Sequence, residues 1–143
     1  SDLRDQLLRH LASGASFAVP PALVEKRVIA LIQEHMMDAR RRGLTVPLDE
    51  VSVGTMRTQL EPLAREQLKA YLVLDAIATK EGIQATEDEF EAAVVRLADS
   101  AGQAVERIRA ALARDGRHES LRSQIRDDKT IEFLLAAAAM RTA

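Results

Sequence analysis

Apolar residues recur at helical spacing along almost the whole chain, and the alternation expected of strands is nearly absent. The clearest stripe is Val24, Val28, Leu31, Ile32, Met36 and Ala39, whose offsets of 4, 7, 8, 12 and 15 place them on one helical face. The pattern predicts a helix entered at Pro20 or Pro21, where a missing N–H costs nothing. It closes at Arg40-Arg41-Arg42-Gly43, cations against the negative helix end followed by a glycine cap. A short helix from about Asp2 to Ala12 precedes it, with Ser13-Gly14 as its stop.

Leu44 to Gly54 reads as a connector holding Pro47 and several aliphatic residues. A third helix is expected from near Thr55 to Glu81, kinked or split at Pro62, whose ring and missing N–H disrupt the ladder. From Tyr71 to Ala78 only Asp75 is polar, the mark of a central, buried helix. Gly82 stops it. Thr86-Glu-Asp-Glu89 is a capping box that opens a fourth helix, with Phe90, Val94, Leu97, Ala98 and Ala101 on one face. Gly102 separates a fifth helix carrying Val105, Ile108 and Leu112, and Asp115-Gly116 ends it. A last helix, about His118 to Arg141, uses Leu121, Ile125, Ile131, Leu134, Leu135 and Ala138. The expected fold class is all-α, as a single domain.

Composition narrows the function by exclusion. The chain has 143 residues, an apolar fraction of 47% and a charged fraction of 29%, which is globular. Aromatic residues make up only 3%, which argues against a stacking platform for bases. A net charge of -2 disfavours duplex nucleic acid and anionic membrane. Without cysteine there is no thiolate chemistry and no zinc–thiolate site. The run from Phe133 to Met140 is too short for a membrane span.

The residues offer no catalytic constellation. His10, His35 and His118 fall on different helices, none with a second histidine four residues on. Glu87-Asp88-Glu89 suits a helix N-terminus, and Asp127-Asp128 is expected on a solvated face beside Lys129. Gly14-Ala-Ser16-Phe-Ala18 lacks the second glycine of a nucleophile elbow. Val94 to Leu112 mimics a helix-turn-helix, but residues 87–115 hold seven acids and four arginines, a net of -3 facing where phosphates would be. No enzyme, cofactor or metal is expected.

Five segments together resemble the C-terminal, client-holding domain of trigger factor. Phe17, Val19 and Pro20 match an F-x-V-P entry, and Pro21-Ala-Leu-Val24 a P-x-x-L-V-like helix start. Pro62 to Leu68 looks like its proline-led helix. Leu72, Leu74, Ile77, Ala78, Glu81, Ile83, Thr86 and Glu89 follow its L-x-L-x-x-I-A-x-x-E-x-I-x-x-T-x-x-E pattern. Leu121, Ile125, Lys129, Phe133 and Leu134 follow its closing L-x-x-x-I-x-x-x-K-x-x-x-F-L. The ordered set spans nearly the whole chain.

The resemblance implies an elongated all-α domain with two helical arms around a cradle. Residues 1–22 would be an entry helix and linker, 23–85 the first arm, 86–116 the second, and 117–143 a return helix. It implies an ATP-independent chaperone of the cytoplasm, with unfolded or nascent polypeptides as partners and weak self-association beside them. Ribosome docking and prolyl isomerisation would belong to other domains of full-length members, and no strand-rich segment here could form them. The helical part of the periplasmic chaperone SurA, and a helical scaffold for one folded partner, are the rival readings.

The residues also argue for client binding directly. Met37 lies about 100° round from Met36, and Val95 from Val94, so these fall off the core stripes. The connector adds Leu44, Val46, Leu48, Val51 and Val53, with Met56 close after, and methionine suits promiscuous surfaces. Met37, Val95 and the six connector and helix-start residues, with Ile32, Met36, Ile108 and Leu112, make twelve residues of the expected client-binding surface.

Overall fold

A computed structural model describes residues 2–142 of the chain. These residues form six α-helices and no strand: α1 (Asp2–Gly14), α2 (Pro21–Arg41), α3 (Glu50–Glu81), α4 (Glu87–Ala101), α5 (Val105–Arg114) and α6 (His118–Thr142). The all-α expectation therefore holds, and four of the five connections fall at the glycines or prolines that marked them. The helix ends follow local chemistry. At Gly43, φ is 72°, which lets its N–H reach the Arg40 carbonyl at 3.0 Å and the Leu44 N–H reach the Ala39 carbonyl at 2.8 Å. That closing pair satisfies carbonyls the end of α2 would otherwise leave open.

The start of α3 differs from expectation. The helix begins at Glu50, not near Thr55, because Asp49 caps it: the Ser52 N–H donates to Asp49 Oδ1 at 2.9 Å and the Ser52 hydroxyl to Oδ2 at 2.8 Å. Val51, Val53 and Gly54 are thus helical rather than connector. Pro62 neither splits nor ends α3. Its lost hydrogen bond is outweighed by burial on both sides, since Leu60, Ala64 and Leu68 all pack into one core.

The chain divides into two compact units, Ser1–Val73 and Leu74–Ala143, with the boundary inside α3. In the first, Val19, Val24, Val28, Leu31 and Ile32 meet Ala64, flanked by Met36, Met56, Leu60, Leu68 and Leu72. Each such aliphatic side chain contributes about 2 kcal/mol when fully buried. In the second, Phe90, Val94 and Leu112 form the centre, with Val105, Ile108, Leu121 and Ile125 against them.

Three further expectations are corrected. The inward face of α4 is Phe90, Ala93, Val94 and Ala98, while Leu97 and Ala101 face solvent. Between Tyr71 and Ala78 only Leu74 and Ala78 are buried; Asp75 and Ala76 are exposed and the rest are half-buried. Asp127 and Asp128 are half-buried too, rather than on a solvated face.

Candidate functional site

Two helix caps shape a cavity at the α2–α3 turn. The glycine turn after α2 sends the chain back from Leu44, and the Asp49 cap starts α3 a few residues later. Between them lies a cavity of about 380 Å³, walled by Ala39, Leu44, Val46, Pro47 and Met56 and rimmed by His35, Asp38, Arg42, Thr45 and Ser52. Hydrogen bonds from the Ser52 N–H and hydroxyl hold the Asp49 carboxyl below its usual range. The rim pair Arg42–Asp38, at 3.2 Å, is largely exposed and adds little stability.

The twelve residues expected at the surface divide three ways. Met37 (54%), Leu44 (62%), Leu48 (65%), Val51 (79%) and Val95 (43%) are exposed. Met36, Val46, Val53, Met56 and Ile108 are half-buried, and Met36, Met56 and Ile108 pack against the cores. Ile32 and Leu112 are buried and offer no surface, which corrects their assignment: their stripes are the very faces that build the two cores. Leu44, Val46 and Met56 share the cavity at the α2–α3 turn. Val95, Ile108 and Leu112 belong to the other unit.

Other exposed apolar side chains escaped the sequence reading, among them Ile29 on α2 and Phe133 and Met140 on α6. Phe133 and Met140 stand seven residues apart on one helical face, with no charge between Glu132 and Arg141. That uncharged run was the available signal.

The clustered carboxylates are structural. The Thr86 hydroxyl accepts from the Glu89 N–H at 3.1 Å, and the Glu89 carboxylate accepts from the Thr86 N–H at 2.8 Å, which completes the capping box. Lys129 Nζ donates to Glu89 at 2.9 Å and to the Gln84 carbonyl at 2.6 Å. Lys129, then the Thr86 N–H, lowers the Glu89 carboxyl to about 2. Glu91 is lowered by its paired hydrogen bonds from Arg109, whose own pKa rises in return. Arg126 joins Asp75, the Thr79 hydroxyl (2.9 Å) and the Ile83 carbonyl (3.1 Å). Arg122 lies 4.4 Å over the Phe90 ring and pairs with Glu87 at 2.9 Å. Arg122, Arg126 and Lys129 thus form one basic stripe on α6 that fastens the end of α3 and the start of α4.

Among the described residues no group of three or more His, Asp or Glu could hold a metal ion, and no helix is long and apolar enough to cross a membrane. Among the described residues the arrangement brings together apolar surface and ion pairs.

Residues 1–136 match the family described as bacterial trigger factor protein (TF) C-terminus. The trigger factor of Anaeromyxobacter dehalogenans (strain 2CP-C) is 30% identical over 141 residues, which are 99% of this chain and 33% of that protein. That of Citrifermentans bemidjiense is 31% identical over 139 residues, 96% of this chain and 32% of that protein. The chain therefore spans about a third of the length of these relatives. A solved structure of trigger factor domains from Thermotoga maritima matches with a TM-score of 0.67 at 24% identity, over 94% of this chain and 80% of that one, a likeness of fold.

Proposed function

The chain belongs to the family of bacterial trigger factor C-terminal domains, a chaperone family, and corresponds to a part without enzymatic activity; from that premise we propose that it holds unfolded or nascent polypeptides on exposed aliphatic and methionine side chains, without ATP. The observation that carries this reading is the α2–α3 turn, where Leu44 and Leu48 stand more than half exposed beside the apolar cavity holding Val46 and Met56. Contiguous apolar surface of this kind on a polar protein marks an interaction site.

A client side chain entering the cavity gains about 25 cal/mol per Å² of apolar area removed from water. Ordering a flexible client opposes that gain, so each contact is weak and several act together. Weak, repeated contacts let a client leave and refold. In this reading residues 23–85 and 86–116 are the client-contacting arms of a single chaperone domain, and its setting is the cytoplasm.

The test is suppression of aggregation. A denatured reporter enzyme is diluted into buffer with the wild-type chain or with Leu44→Asp combined with Leu48→Asp, and light scattering is followed. Both positions are exposed, so circular dichroism should be unchanged while suppression falls. Full suppression by the double variant rejects this surface.

A further inference from the structure

The chain carries four methionines and no cysteine, so its sulfur chemistry rests on thioethers alone. Their surroundings differ. Met37 and Met140 are exposed, at 54% and 79%. Met36 is half-buried against the core of the first unit and does not line the cavity at the α2–α3 turn. Met56 is half-buried against the same core, yet it walls that cavity of about 380 Å³ and reaches water through it.

A thioether reduces a hydroperoxide in one step. The sulfur lone pair attacks one peroxide oxygen and the O–O bond breaks. The sulfur keeps that oxygen as a sulfoxide, and the other leaves with its proton as water or an alcohol. An apolar side chain thereby becomes a polar hydrogen-bond acceptor. In a wall shared with Ala39, Leu44, Val46 and Pro47, the acceptor stands where an aliphatic client side chain would lie. His35 and Thr45 line the same cavity and carry N–H and O–H groups that can hold the new oxygen.

We propose that Met56 is a sulfoxidation site at which a hydroperoxide turns the cavity from apolar to polar, so that oxidation weakens the hold on apolar segments. The inference rests on the polypeptide-binding reading above and adds regulation to it. Met37 and Met140 oxidise sooner because they are more exposed, but neither lines the cavity. Met36, packed without that opening, oxidises last. The change is reversible: two thiols of a reductant become a disulfide while the sulfoxide oxygen leaves as water.

The whole chain is treated with hydrogen peroxide and each methionine is followed by peptide mass mapping. Met37 and Met140 should convert first, Met56 next and Met36 last, with helicity retained by circular dichroism. Suppression of aggregation is compared before and after peroxide for each protein against its own untreated sample. Once Met56 has converted, the wild type should need about tenfold more chain for the same suppression. Met37→Leu with Met140→Leu should lose nearly as much, whereas Met56→Leu should lose far less. Methionine sulfoxide reductase with a dithiol should restore the wild type. A Met56 that stays unmodified, equal losses in Met56→Leu and the double variant, or a loss that comes only with lost helicity overturns the proposal. Failure of the polypeptide-binding reading is seen separately, as an untreated wild type that suppresses nothing. In that case the apolar dye anilinonaphthalene sulfonate decides: its fluorescence on the chain should fall as Met56 converts, and unchanged fluorescence overturns the proposal.

Discussion

Lys129 Nζ lies 2.9 Å from Glu89 Oε1, and the same carboxylate completes the cap of α4. The C-terminal helix therefore fastens the start of a helix 40 residues earlier through a group that also closes that helix's first turn. Lowering of the Glu89 carboxyl to about 2 follows from this double use.

The sign of the pH effect is determined by that direction. A carboxyl held lower in the folded chain than in the unfolded one stabilises the fold above the unfolded value of about 4.3, and the stabilisation is lost as pH falls through about 2. Glu91, lowered by Arg109, acts in the same direction. Lys129→Met removes the largest cause at Glu89. Its acid unfolding, followed by circular dichroism, should begin at higher pH than that of the wild type. Superimposable acid transitions would show the pair to be idle.

Thr86→Ala removes the other half of the capping box. A lost N-cap costs about 1 kcal/mol, and urea denaturation should register it. Thr86→Ser keeps the hydroxyl and should recover most of the loss.

Asp49 decides where α3 begins. Asp49→Ala should expose the Ser52 amide to faster hydrogen exchange while the amides of the Leu60-to-Leu68 stretch remain protected. The helix would then start closer to Thr55. Unchanged exchange at Ser52 would mean that the cap is dispensable.

Burial separates two leucines of similar sequence appearance. Leu74 is fully buried and Leu97 is 41% exposed. Leu74→Ala should cost roughly 3 kcal/mol by leaving a cavity, whereas Leu97→Ala should stay within about 0.5 kcal/mol. Denaturant midpoints of the two variants measure the contrast.

Met37→Asp combined with Val95→Asp places a charge on one exposed apolar side chain in each unit. Helicity should be retained while the chain holds back less aggregation of a refolding client. Equal light scattering with and without the substitutions would remove both residues from the binding surface.

The chain alone determined its helices and most of their ends. Periodicity, the prolines at the start of α2, the Thr86 box and the glycine closures are local signals, written within a few residues of where they act. Asp49 was equally local and was hidden by Gly54 and Pro47, whose turn chemistry pointed to a longer connector. What the tertiary structure decided is which of two helical faces is wet. Leu97 and Ala93 differ little in propensity, and only the packing of one helix on another buries Ala93 and leaves Leu97 wet. The cavity that Arg9 and Lys69 line was invisible for the same reason, since residues sixty positions apart meet only when α1 lies beside α3. Helix formation depends on neighbours along the chain, and a binding surface on neighbours in space.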